Sequence, residues 1–312
     1  MKKKPDNVLN AFQKFIDKKG KSDDLTQHEA ELLFSEFIQD YEQNVLTPQR
    51  KNAAETACSS NDFLELAKLT LDPKEAVPYA KKALALDPMN FEAEIILASA
   101  KSVNKGIDYF LKDLASRVEK ATIKLDALGY FSKEKIGDFW LIFETRPYMR
   151  LRLNYIQALI QTGRINLAKK ECEELLRLCE MDNLGVRYTL MHIFAYLEDE
   201  EGAKGLLARY SDESSLLMLL PLSLLYYKLN DFAKAEMYLK QVAKDNKNAK
   251  EFFSTILENG TEHYLGMELD SYILGSMDEF VVAVNDHHFC YVTVTPFFEW
   301  ALHTLKGNRK KK

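Results

Sequence analysis

The residues best equipped for chemistry in this chain lie in a few short stretches. Residues 138–150 read DFWLIFETRPYMR and set Glu144, Arg146 and Arg150 among aromatic rings around Pro147. A carboxylate between guanidiniums can serve an anion or peptide site, but here it reads first as an ion pair holding a joint between helices. Asp286-His287-His288 is the one place where an acid stands beside imidazoles. No nucleophile, base and orienting group share a recognisable spacing there, so it reads as a solvated turn. Metal chemistry fares no better. His28 precedes Glu29, but Leu32 stands where a second His would complete HExxH, and the cysteines at 58, 172, 179 and 290 form no CxxC pair. Each cysteine lies in a segment that looks packed and reads as a free buried thiol. The expectation is a protein that is not an enzyme, with no catalytic, metal or cofactor site.

What positions these residues is helix. Glycine and proline number only 12 and 8, and apolar residues recur at helical spacing almost throughout, which predicts an all-α fold. An internal repeat refines this. In PKEAVPYAKKALALDPMN, Ala76, Ala80, Ala83 and Pro88 fall where a tetratricopeptide unit of about 34 residues places the small residues and terminating proline of its second helix. On the same ruler Ala168, Ala203 and Ala235 take one repeat position, at spacings of 35 and 32 residues. LNDFAKA makes the clearest later match. The units at 149–181 and 184–214 are weaker, with Ile156 and Met191 at a small-residue position and no terminal proline.

The predicted architecture is a tetratricopeptide-like α-solenoid of stacked antiparallel helix pairs with a C-terminal capping segment. Residues 1–50 form a helical extension, with helices over 5–18 and 25–45, the second opened by a capping box of Thr26 and Glu29. Residues 51–250 form the repeat array, 251–306 the cap and 307–312 a disordered basic tail. Within the array, pairs span 51–87 and 91–127, and helices from 133 and from 147 flank the FETRP corner. Phe139, Trp140 and Phe143 are then expected to bury one face of the first of these helices, with Trp140 a core side chain. Thr145 would cap the second and Pro147 occupy its first turn. The run VTVT before Pro296 reads as a helix connection, since a strand would lack a partner.

Global charge excludes little but is useful. Lys plus Arg number 42 against 47 Asp plus Glu, so the balance does not favour nucleic acid. No apolar run follows MKKK as a signal peptide requires, and no stretch of about 18 apolar residues offers a membrane span. A cytoplasmic location without membrane association is expected.

Residues 144–197, opening with ETRPYMR, resemble the core of the suppressor-of-tumorigenicity-seven-like family of bacterial tetratricopeptide-repeat proteins. The resemblance rests on Phe139-Trp140, Glu144 to Arg150, Gly163-Arg164, Arg177-Leu178, and Asp182-Asn183 with Gly185, Arg187 and Tyr188. It extends over roughly 130–245. The ending YILGSMDEFVVAVNDHHFCYVTVTPFFEWAL is similar to that family's as well, although Phe280 stands where a small residue is usual and Leu176 and Cys179 depart from the pattern. The first 50 residues carry no such likeness. The resemblance implies architecture and no catalytic residue.

In such an array the first helices of successive pairs line a concave groove. The partner-binding residues expected there are Arg150, Gln157, Arg187, Tyr188, His192, Leu220, Leu224 and Tyr227. Only Arg150 and Asn154 approach a carboxylate clamp, so that specificity is rejected. The groove grows apolar toward its C-terminal end, which fits an amphipathic helix or apolar peptide, or a cap formed by residues 250–305 of the chain itself. The function read from this is a scaffold binding a peptide or helical segment of another protein. The alternative is a peptide-sensing regulator. Residues 1–50 are too short for a DNA-binding domain plus connection, and LTQHEAELLFSEF lacks a glycine-containing turn and a basic recognition helix.

Overall fold

The computed structural model describes residues 8–19, 27–211, 214–267, 269 and 272–307. The fold is all-α. Helices run over α1 (Val8–Lys18), α2 (Gln27–Tyr41), α3 (Thr47–Thr56), α4 (Ser60–Lys68), α5 (Pro73–Leu86), α6 (Phe91–Ser102), α7 (Ile107–Ala127), α8 (Arg146–Gln161) and α9 (Ile165–Leu178). They continue as α10 (Val186–Leu197), α11 (Glu200–Arg209), α12 (Leu216–Lys228), α13 (Phe232–Asp245), α14 (Ala249–Asn259), α15 (Met277–Asp286), α16 (His288–Tyr291) and α17 (Thr295–Lys306). The predicted 25–45 helix carries a π-helical turn at Glu42–Leu46 and passes into α3. Its capping residue Thr26 and the basic tail lie outside the described residues. No described helix is long and apolar enough to cross a membrane.

The chain divides into two compact units. One runs to Phe131 and resumes over Ile142–Ala158; the other takes Ser132–Leu141 and the described chain from Leu159 on. The division falls inside the expected repeat array, within α8, and not at residues 50 and 250.

The first unit is built on small residues. Ala76, Ala80 and Ala83 of α5 are buried against Leu64 and Ala67 of α4 and Ala93 of α6. Asp72 caps α5 and Pro73 occupies its first turn; α5 stops before Pro88, and Asn90 caps α6. Tyr148 from the ETRPYMR motif is fully buried. Its hydroxyl meets Thr122 at 2.7 Å and Arg152 at 3.0 Å, and its ring packs on Phe91 and Phe131. Cys58 is exposed, contrary to the buried thiol expected.

In the second unit three helix junctions share one turn. At Gly163-Arg164, Glu198-Asp199 and Asn230-Asp231 the first residue is left-handed, at φ 71°, 59° and 60°. The second donates its N–H to the carbonyl five residues back, Leu159, Phe194 or Tyr226. This bond satisfies a helix-end carbonyl that would otherwise be orphaned. Asp199 and Asp231 then cap α11 and α13. Five residues beyond each left-handed residue stand Ala168, Ala203 and Ala235, all buried. Gly202 in α11 shows how close the helices come. A Cβ there would overlap the Phe194 ring of α10, so Gly202→Ala should lower stability by about 1–2 kcal/mol despite the better helix propensity of alanine. A raised urea midpoint would refute this.

The segment expected to be a helix from 133 is not one. Residues 128–142 form turns, because two glycines take left-handed backbone, Gly129 at φ 72° and Gly137 at φ 104°. Gly137 and Phe139 donate their N–H groups to the Leu178 carbonyl at 3.1 and 3.0 Å, and Glu180 donates to the Gly137 carbonyl at 2.9 Å. A helix would forgo all three bonds. Phe139 is consequently the core residue, Trp140 is half-buried, and Phe143 is 73% exposed with the Arg146 guanidinium over its ring. The Thr145 hydroxyl donates to the Ile142 carbonyl at 2.9 Å, and Glu144 is exposed. VTVT is a connection, as expected, leading into Pro296 in the first turn of α17.

Candidate functional site

Three α10 residues expected to bind a partner, Arg187, Tyr188 and His192, have separate roles. Before the helix, Asp182 is buried and left-handed at φ 48°. Its carboxylate accepts the N–H groups of Val186 at 2.8 Å and Arg187 at 2.9 Å, capping the helix. It also accepts from the Arg187 guanidinium at 2.9 Å. Burial pushes the Asp182 carboxyl up, and the Arg187 bonds oppose that shift. Arg187 is thus held in an ion pair, stacked on the rings of Tyr188 and Tyr210. The D-N-x-G-x-R-Y pattern does local work: it starts α10 and fixes Tyr188.

His192, one turn on, is sealed in the core. Its ring stacks on His287 with centroids 3.8 Å apart and planes within 5°. Burial depresses the His192 pKa, as does its neighbour, and burial alone brings His287 down to about 4. Both rings are therefore neutral near pH 7. Each then donates from Nδ1 to a backbone carbonyl, His192 to Tyr188 at 2.7 Å and His287 to Ala283 at 3.2 Å. Each Nε2 accepts, from the Tyr291 hydroxyl at 2.9 Å and the Thr189 hydroxyl at 3.2 Å. The expected solvated turn at Asp286-His287-His288 is thus corrected at His287, which pins α15 and α16 to α10.

The partner-binding assignments on α12 are corrected in the same way. Leu220 and Leu224 are fully buried. Tyr227 sits in a cluster with Phe232, Phe297 and Trp300, at ring distances of 5.7, 5.5 and 5.2 Å. The apolar face, which the sequence left open to a peptide or to a cap from residues 250–305, is covered by the chain's own end, with α15 on α12, α16 on α10 and α17 on α13 and α14. In the first unit Arg150 pairs with Glu92 at 2.6 Å, and Gln157 is exposed.

Of the expected residues, Tyr188 lines a cavity. That cavity, of about 390 Å³, lies between Tyr188, the N-terminus of α12, the C-terminal end of α13 and the stretch leading into α15. Its buried walls include Glu279 and Asn246. Glu279 stands three residues after Ser276 at the start of α15, a capping-box spacing visible in GSMDEF. That signal marked a helix start and not a cavity. Asn246 had no sequence signal. Among the described residues no group of three His, Cys, Asp or Glu side chains could hold a metal ion. Comparison with protein-family models and with curated proteins finds no match.

Proposed function

We propose that the protein is a non-enzymatic interaction module of tetratricopeptide type, a solenoid of helix pairs closed by its C-terminal segment, which binds a protein segment at the Tyr188 cavity. The observation that carries this is the thrice-repeated turn, Gly163-Arg164, Glu198-Asp199 and Asn230-Asp231, with a buried alanine at a constant offset after each. Repetition of one backbone device at the spacing of the sequence repeat is what an array of equivalent helix pairs requires. The resemblance to the suppressor-of-tumorigenicity-seven-like family favours the same reading. The groups suited to catalysis face inward: His192, His287 and Tyr291 saturate one another and the backbone. Burial also pushes the Cys290 thiol up to about 12, which keeps it protonated and unreactive. A cytoplasmic setting belongs to the proposal on sequence pattern alone.

The test is site-specific photo-crosslinking in cells of the source organism. A photoreactive residue replacing the exposed Leu274 at the cavity rim should give a discrete protein adduct. The same residue replacing the exposed Glu119 in the first unit should not, and Asp245→Lys at the rim should abolish the adduct. Identical adducts from both positions would overturn the assignment.

A further inference from the structure

The charge lining the Tyr188 cavity is of one sign. Its formally charged walls are Glu279 and Asp245, and no lysine, arginine or histidine lines it among the described residues. A cavity of similar size in the first unit has the opposite balance, with Lys101, Arg117, Lys120 and Lys124 against Glu94 and Asp113. The acidic lining is thus not shared by that cavity.

Glu279 is only 4% exposed. Its carboxylate accepts three neutral N–H groups, from Gly275 at 3.0 Å, the Asn246 amide at 3.3 Å and Leu216 at 3.4 Å. Two of these bonds are long, and no cation pairs with it among the described residues. A buried carboxylate without a counterion costs several kcal/mol, and the positive ends of α12 and α15 offset only part of that. Asn246 cannot turn to serve a ligand instead. Its amide nitrogen also donates to the Ser276 carbonyl at 2.7 Å, and its oxygen accepts twice from Asn248. The wall is fixed, with a negative charge built into it.

The remaining walls suit a long apolar stem. Leu219 lines the interior, and at the rim Leu274 is 74% exposed beside Ile273 at 78%. The volume lies at the low end of the roughly 300–1,000 Å³ typical of ligand sites, which favours one long side chain over an extended cofactor. Lysine and arginine carry an apolar stem ending in charge, and the cavity offers both kinds of wall, Leu219 and Glu279 among them.

We propose that this cavity receives one cationic side chain, an alkylammonium or guanidinium, from a partner protein segment whose flanking residues are apolar and rest on Ile273 and Leu274. The inference rests on the interaction reading and specifies its partner's chemistry.

Ligand titration followed by NMR on the whole protein tests it, with acetyl-Leu-Lys-Leu-amide, the same tripeptide with norleucine for lysine, and n-butylamine. The lysine tripeptide should bind at least about tenfold more tightly than its norleucine counterpart, the worth of one charge-assisted hydrogen bond. Butylamine should bind more weakly still. Glu279→Gln should remove the preference for lysine. Asp245→Asn, at an exposed rim position with no role in the fold beyond a bond from Gln241, should reduce it even if Glu279→Gln fails to fold. Equal binding of the lysine and norleucine peptides, or none by either, overturns the cationic assignment while leaving the interaction reading to the crosslinking result. Equal binding of butylamine and the lysine tripeptide overturns the protein segment as the source of the cation.

Discussion

Lowering the pH from 7 to 5 should destabilise the second unit by about 2 kcal/mol through His287 alone, with a total of about 3 kcal/mol once the pH reaches 4. The sign follows from the direction of the shift. Burial lowers the His287 pKa from 6.5 to about 4 in the folded chain, so between these values the unfolded chain binds a proton that the folded chain refuses. The stabilisation is complete above pH 6.5 and is lost as the pH falls toward 4. His192, lowered first by its own burial and then by His287, adds in the same direction. The measurement is a series of urea melts followed by tryptophan fluorescence. Both tryptophans, Trp140 and Trp300, belong to the second unit, so the signal reports the part of the molecule that holds the histidines. The window from pH 6.5 to 5 is diagnostic because ordinary carboxylates remain ionised there. His287→Phe keeps a ring against His192 without a titrating nitrogen, and it should reduce the slope to the part that His192 supplies. A midpoint constant from pH 7 to 5 in the wild type would rule the mechanism out.

Phe280→Ala should cost about 3–5 kcal/mol, the range for truncating a buried aromatic side chain. Phe280 is fully buried on α15 and stacks on Phe252 of α14 with ring centroids 4.2 Å apart. Phe252 in turn stacks on Tyr264, and Phe253 packs edge-on to Phe280 and Phe297. The truncation thus opens a void among aromatic rings that cannot collapse without moving α14. Phe280→Leu, which retains more of the volume, should cost less than half as much. An unchanged urea midpoint for the alanine variant would mean that α15 is held without this stack. Because Glu279 precedes Phe280, the alanine variant should also lose the lysine preference expected of the cavity.

Local features of the sequence were readable where local chemistry decided the outcome. Ala76, Ala80 and Ala83, the stop before Pro88 and the LNDFAKA turn each depend on residues close in sequence, and the alanines are buried, α5 ends before Pro88 and Asn230 makes the turn. Long-range partners decided the rest. Phe139, Trp140 and Phe143 have helical spacing, yet the Leu178 carbonyl and two left-handed glycines hold their segment in turns. Leu220 and Leu224 were legible as apolar residues on a groove face. Whether such a face waits for another protein or is covered by its own chain is invisible in the residues themselves, since burial rewards either cover equally. Only α15 to α17 decided it. The stacked histidines come from distant helices, and neither carries a local sign of the other. Glu279 carried no sign of a cavity, and its place in a cavity wall depended on α12 and α13 arriving beside it.

The order in which the two units use the chain also constrains how it can be made. Residues 132–141 leave a ribosome before the remainder of the first unit, yet they belong to the second and settle only when Leu178 offers its carbonyl. The first unit cannot finish until residues 142–158 emerge behind that unanchored stretch. Each unit therefore begins to appear before the other is complete, and neither can be excised by a single cut in the gene.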